Sequence, residues 1–367
     1  MTSLTQKADT QTQPPSTRRR RAQLVMMGLV VLLVVAILLG LGLGAVRVTP
    51  AQIGVILLDR LEIGHDFVVE YEQRENGVLY TIRLPRVLLG ILVGAALGIS
   101  GAAIQGLFRN PLAAPGLIGI SSGAALAAVS VIVLGATLLE GLSELLGNFT
   151  LPVAAFLGGV ATTFLIYQLA SRNGRTSVMT MLLAGIAINA VTGAVIGILT
   201  FIADDEQLRS ITFWGLGSLG GATWRSLQVA GPMILVALLL LPLLARPLNA
   251  LLLGETEATH LGINVERTKR LIVLWVALAV GAAVAVTGAI GFVGLVVPHL
   301  LRLTLGPDHR YVLPGSALLG ASLLLGADLI ARTIVVPAEL PIGIVTALLG
   351  APFFLWLLLK DRQRYVI

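Results

Sequence analysis

The chain has no cysteine, which excludes disulfides and thiolate metal sites and says nothing about compartment. Charge is scarce as well: Asp, Glu, Lys and Arg make up 12% of the 367 residues, where a soluble domain carries about 25%. Aromatic residues reach only 5%. No G-x-x-x-x-G-K-[ST] loop occurs, so the chain carries no P-loop ATPase of its own. H-E-x-x-H, G-x-S-x-G and paired-carboxylate patterns are also missing, so nothing points to catalysis, a metal or a cofactor. The net charge of +6 is better explained by basic residues in the inner loops of a membrane protein than by nucleic-acid binding.

What the chain does contain is apolar length. It is 56% hydrophobic with a mean hydropathy of +0.93, and its 41 glycines sit inside apolar runs, where they allow helices to pack closely in lipid. Long runs lie at 24–46, 84–107, 116–136, 151–170, 178–202, 227–245, 271–304, 313–333 and 341–359. The run 271–304 is too long for one crossing and holds Gly288, Gly291 and Gly294, which predicts a break near 288–291. The piece after it, 292–305, would be only ~20 Å long as a helix. Such short, Gly-interrupted helices are tolerated inside a protein-walled pathway. The expected fold is therefore an all-α membrane protein of ten transmembrane helices over 23–360.

Residues 1–22, polar and containing Pro14-Pro15, read as a disordered cytoplasmic tail, and 361–367 as a short cytoplasmic tail. Arg18 to Arg21 abut a first run too long for a signal-peptide core. With the N-terminus inside and ten crossings, the inner segments hold Lys7, Arg18 to Arg21, Arg109, Arg172, Arg175, Arg246, Arg267, Lys269, Arg270, Arg302, Arg310, Lys360, Arg362 and Arg364. These are most of the 25 Lys and Arg, so both termini are expected to be cytoplasmic.

"VGAALGISGA" (93–102) returns as "VGAAVAVTGA" (280–289). The first copy falls in the second helix and the other in the seventh, an odd step of five, so they run antiparallel. "PGLIGISSGA" at Pro115 and "PGSALLGASL" at Pro314 form a looser pair, expected to open the third and ninth helices. An inverted repeat is a device of transporters, in which two halves alternate around a central route. Convergent packing faces would give the same pattern.

Asp328 and Arg332 lie four apart on one helix face, a spacing more often structural than proton-carrying, so an ion-coupled secondary carrier is weakly supported. A membrane scaffold or receptor would need neither repeat nor broken helix. The inner loop 246–270 reads as one or two short amphipathic helices, the second bracketed by Gly254 and Gly262, and its acids argue against a lipid-surface helix. In the outer loop 47–83, Thr49-Pro50 opens a short helix to Arg60. Asn76-Gly77 predicts a hairpin after it, and Glu70, Glu72 and Glu75 read as solvated decoration ahead of the alternative, contact with a protein partner outside.

Three blocks carry a resemblance: "RLPRVLLGILVGAALGISGAAIQGLFRNPLAAPGLIGISSGAAL" (83–126), "GAIGFVGLVVPHLLRLTLGPDHRYVLPGSALLGASLLLGADLIAR" (288–332) and "ELPIGIVTALLGAPFFLWLLLK" (339–360). The chain resembles, over 47–360, the permease family of ABC importers for ferric siderophores, haem and cobalamin, the FecCD family. The resemblance implies a type II ABC importer permease in the inner membrane of a bacterium. Its implied partners are a second permease subunit (a homodimer, or a heterodimer), two cytoplasmic ATPase subunits and a substrate-binding protein outside. It implies that Arg83, Arg86 and Arg332 dock the binding protein. Gly254, Glu255, Ala258, Leu261 and Gly262 match the family's coupling helix, which seats in the ATPase. Asn110 and Leu112, with Thr176 and Ser177, match its cytoplasmic gate, although Asn110-Pro111 is also an ordinary turn signal. His299, in "PHLLR", is in a motif the family carries whatever its ligand, so haem ligation is not expected of it. Among ligands, ferric siderophores rank first, haem second and cobalamin third.

Overall fold

The structure is a computed structural model, which describes residues 15–44, 46–60, 71–135, 140–335 and 338–365. Among these, seven helices are long and apolar enough to cross a membrane, and three apolar helices are shorter. In chain order the ten are α1 (Pro15–Gly42), α2 (Leu84–Phe108), α3 (Ile120–Leu134), α4 (Thr150–Ala170) and α5 (Val178–Ile202). There follow α6 (Trp224–Leu240), α7 (Val265–Thr287), α8 (Val293–Leu305), α9 (His309–Thr333) and α10 (Ile342–Tyr365). They fall at the ten expected positions, and the interruption between α7 and α8 is where the glycines put it. Gly288 turns the chain at φ 71°, and Phe292 follows at φ 66° just before α8. Its ring lies over Gly350, where a Cβ would sit 2.5 Å from it.

Glycine decides which helix is central. α2 is buried along nearly its whole length and packs chiefly on α9, with α7 and α8 also against it. A Cβ on Gly94 would lie 2.4 Å from the Gly320 carbonyl oxygen, and one on Gly98 2.1 Å from that of Ser316. On Gly101 it would meet the Gly294 carbonyl oxygen of α8. Backbone therefore touches backbone, which in lipid supplies the packing that apolar side chains alone do not. α3 and α4 repeat the device, each of Gly123 and Gly158 facing the other's carbonyl oxygen, at 2.4 and 2.6 Å from the built Cβ.

The first copy of the repeated decapeptide is buried and the second largely so, but they are used differently. Gly94 meets a facing backbone, whereas the equivalent Gly281 meets the Phe156 ring of α4, 3.2 Å from the built Cβ. α1 and α5 are mostly uncovered. On α5, Leu183, Ile186, Val191, Ile198 and Phe201 point away from the bundle.

Several expectations change. Of the tail expected over 1–22, residues 1–14 lie outside the described residues, and helix begins at Pro15, so it includes Arg18 to Arg21. At the other end α10 runs on to Tyr365, into the expected tail 361–367. The outer helix Pro50–Arg60 is present, and Glu70 lies outside the described residues. The hairpin at Asn76-Gly77 is not formed. Glu72 and Glu75 make a reciprocal capping box that starts a helix at Gln73, and through a π-helical stretch, Val78–Arg83, it joins α2. Pro314 lies inside α9, which starts earlier because the Asp308 side chain accepts from the Arg310 amide at 3.0 Å. A short helix, Asp205–Leu216, capped by Asp204, stands between α5 and α6 where no element was expected.

Candidate functional site

Three arginines expected at one rim do meet at one end of the bundle, with their guanidinium groups turned inward. α1 ends at Gly42 and leaves orphan carbonyl groups, as every helix C-terminus does. Arg83 Nη1 donates to the carbonyl oxygens of Leu41 (2.6 Å) and Gly42 (3.1 Å), and its Nη2 to that of Val46. Arg332 Nη2 donates to the Gly40 carbonyl oxygen at 2.5 Å. Two arginines thus cap α1, and a cation at a helix C-terminus is also favoured by the macrodipole. Gly44, at φ 150°, leaves room for the Arg83 guanidinium, which would lie 2.6 Å from a Cβ there.

Arg86 makes a fork between two acids. It reaches Asp328 at 2.8 Å and Glu339 at 2.9 Å, while Arg332 Nε lies 3.6 Å from the other Asp328 oxygen. Asp328 and Arg86 are buried, whereas the Glu339 side chain is 44% exposed. The Arg86 hydrogen bond holds the Glu339 carboxyl below the usual glutamate range, against the opposing effect of burial. Asp328, weighed from sequence as a proton carrier, is thus the shared anion of two arginines. Arg83, Arg86 and Arg332 together tie α1, α2, α9 and the 339 segment into one rim.

At the opposite sequence landmark, the loop 246–270 forms helices Ala245–Leu251 and Glu255–His260, and α7 already begins at Val265. The glycine brackets have a conformational reason: Gly254 has φ 128° and Gly262 φ 80°, where side chains are disfavoured. The two faces of the Glu255–His260 segment differ. Ala258 is fully buried, whereas Leu261 is 62% exposed and Leu253 66%. Of the expected coupling residues, Ala258 is thus turned into the chain and Leu261 outward. Glu255 is bound back to α7 through Lys269, at 2.8 Å.

The expected gate residues lie on two separate turns, and no hydrogen bond joins these turns among the described residues. Asn110 Oδ1 accepts from the Leu112 amide at 2.9 Å, which closes a local turn with Leu112 exposed. Thr176 and Ser177 end a minimal hairpin, Ser171–Arg172 paired with Arg175–Thr176, around Asn173 (φ 52°) and Gly174 (φ 74°). The Ser177 hydroxyl oxygen caps α5 by accepting from the Thr180 amide. A cavity of about 280 Å³ lies near Arg21 and Arg302, and one of about 620 Å³ borders the hairpin, lined by Tyr167, Thr176, Arg270 and Leu274 among others.

His299 lies beside Phe353 and Phe354, with ring centroids 6.1 and 6.4 Å apart, an apolar aromatic setting. Among the described residues no group of three His, Cys, Asp or Glu is placed to hold a metal. Sequence reasoning missed Lys269, Glu266 and Glu339 as site residues. The i,i+3 spacing of Glu266 and Lys269 was a usable signal, and three arginines in an apolar setting called for a second acid beyond Asp328.

Comparison with known proteins agrees with this architecture. The model of the FecCD transport family matches residues 32–360. A hemin transport system permease protein of Yersinia pestis is 54% identical over 283 residues, 77% of this chain and 83% of the relative. A cobalamin import system permease protein of Halobacterium salinarum is 45% identical over 286 residues, 78% of this chain and 74% of the relative. A solved structure described as a metal-chelate type ABC transporter in an inward-facing conformation superposes with a TM-score of 0.78 at 33% identity. It covers 92% of this chain and 99% of its own. The relatives are transport permeases rather than enzymes, and the chain belongs to the FecCD transport family of ABC importer permeases.

Proposed function

We propose that the chain carries hemin inward across the cytoplasmic membrane of a bacterium, by alternating access, as the permease subunit of an ATP-driven importer. The observation that carries the ligand is the 54% identity to a hemin permease, against 45% to a cobalamin permease. Sequence alone ranked ferric siderophores first, and these relatives move hemin ahead of them. Purified chain, its ATPase and its binding protein in proteoliposomes test this: hemin is taken up in preference to cobalamin and to a ferric siderophore. Preference for either of the others overturns the ligand and leaves the family standing.

In this reading both termini are cytoplasmic, the Glu255–His260 segment faces the ATPase, and the rim of Arg83, Arg86 and Arg332 faces the binding protein outside. The uncovered face of α5 supports a second permease subunit there, as a homodimer. Leu261 is the anchor offered to the ATPase, since it and Leu253 both leave apolar surface unburied in the single chain. Gly254 and Gly262 set the segment's two ends.

The docking role of Arg83, Arg86 and Arg332 takes one form here: they hold the rim on which the binding protein sits. Arg86→Glu is expected to lower docking and thermal stability together. Docking lost with an unchanged melting temperature would instead mean that the guanidinium touches the partner directly. Thr176, Ser177, Asn110 and Leu112 serve as the cytoplasmic gate, with the Thr176 hairpin the moving part because it borders a cavity.

A further inference from the structure

Lys269 is a charged side chain with 2% of its surface exposed, and a buried ammonium is retained only where its donors are matched. All three are. Its Nζ donates to the Thr176 carbonyl oxygen at 2.7 Å, to Glu255 Oε2 at 2.8 Å and to Glu266 Oε1 at 3.1 Å. The second oxygen of Glu266 accepts from the Thr176 amide at 2.8 Å. Both backbone groups of Thr176 are therefore held by the base of α7, and the Thr176 hydroxyl is held by Ser171 (2.9 Å) and Tyr167 (3.1 Å). One ammonium joins three elements: the Glu255–His260 segment, the first turn of α7 and the hairpin.

We propose that Lys269 is a positioning residue that locks the coupling segment to the gate hairpin, so that the two move as one body. This rests on the coupling and gate assignments above and supplies the mechanical link between them. The argument is energetic. Glu255 and Glu266 are 43% and 28% exposed, so either acid can be solvated if it leaves, but the ammonium cannot. Pulling the segment away from Lys269 leaves a buried cation short of a counter-ion, which is costly. Displacing segment, lysine and hairpin together keeps every contact. The cavity of about 620 Å³ beside Thr176 gives the hairpin room to shift. The partners lie 3, 14 and 93 residues away in sequence, so one side chain bridges three separate elements.

The chain has no cysteine, so introduced cysteines label cleanly. Spin labels at Arg172→Cys and His260→Cys, both exposed positions, report the distance between hairpin and segment. In the full transporter the distance distribution is expected to be narrow and to keep its mean with and without ATP. Lys269→Met is expected to broaden it about twofold, as does Glu255→Gln, which removes one counter-charge at a partly exposed residue and so decides the matter if Lys269→Met fails to fold. Lys269→Arg is expected to restore the narrow form. Uptake per ATP hydrolysed should fall about tenfold in Lys269→Met and Glu255→Gln, a usual size for coupling between sites. An unchanged distribution in both variants, or a mean that shifts with ATP in the unsubstituted background, overturns the lock. The distance can be read on the chain in nanodiscs whether or not transport occurs. A complex that shows no ATP-driven uptake therefore defeats the function proposed above without deciding this link.

Discussion

At the scale of single residues, charge inside an apolar bundle explains most of what is unusual. Arg86 is buried against Asp328 with Glu339 at the edge, so the three depend on one another. Removing one partner of such a pair strands the other, at a cost of about 3–5 kcal/mol. Arg86→Met is thus expected to lower thermal stability in detergent strongly, and to lower it less when Asp328→Asn is added. A loss in the double variant equal to the sum of the two single losses would mean that the pair is not coupled. Glu339 adds a pH dependence. Its carboxyl sits below its ordinary value of 4.5, so its stabilisation is complete above that range and is lost as the pH falls through the depressed value. The melting-temperature gap between the native chain and Glu339→Gln should be widest near neutrality and close as the pH falls through the depressed value, below the ordinary 4.5. A gap that widens in acid would reverse the assigned cause. Two Asn-Gly pairs show what local sequence can and cannot say. Asn173-Gly174 forms the tight turn such a pair favours, because the antiparallel ends of α4 and α5 bring Ser171 opposite Thr176. Asn76-Gly77 is helical, because the Glu72–Glu75 box starts a helix first. The dipeptide is the same, and the flanking hydrogen bonds decide.

At the scale of elements, hydropathy made the ten helices legible, including the short α8, because lipid-facing backbone must bond within its own segment. It did not reveal the Asp205–Leu216 helix, which is amphipathic and too polar to register as an apolar run. Nor did it show that the arginines turn inward, since one sequence position cannot say which neighbour's orphan carbonyls need a donor. Glycine contacts give the sharpest test of packing. A Cβ on Gly101 would overlap the Gly294 carbonyl, so Gly101→Ala must push α2 and α8 apart. Overpacking of this kind costs roughly 1–3 kcal/mol. Gly28 in α1 has nothing within 4 Å of a built Cβ, so Gly28→Ala is expected to be neutral or slightly stabilising. Thermal unfolding of the two variants side by side checks this, and equal losses would contradict the packing described. In the proposed coupling segment, Leu261→Ser is expected to weaken ATPase association in detergent while changing the chain's own melting temperature little, because Leu261 is mostly exposed within the chain.

At the scale of the whole molecule, two ends with different chemistry are joined by a core of touching backbones. One end is a closed network of arginines and acids. The other is a small exposed helix seated through Ala258 and tied by Lys269 to the hairpin that precedes α5. In the proposed reading energy enters from an ATPase subunit, and the exposed Leu261 is the apolar anchor offered to it. The most direct test measures hemin accumulation in proteoliposomes while omitting, in turn, ATP, the ATPase and the binding protein. The account predicts accumulation only when all three are present, and its loss with any one omission. Accumulation by the chain alone under an ion gradient would contradict it.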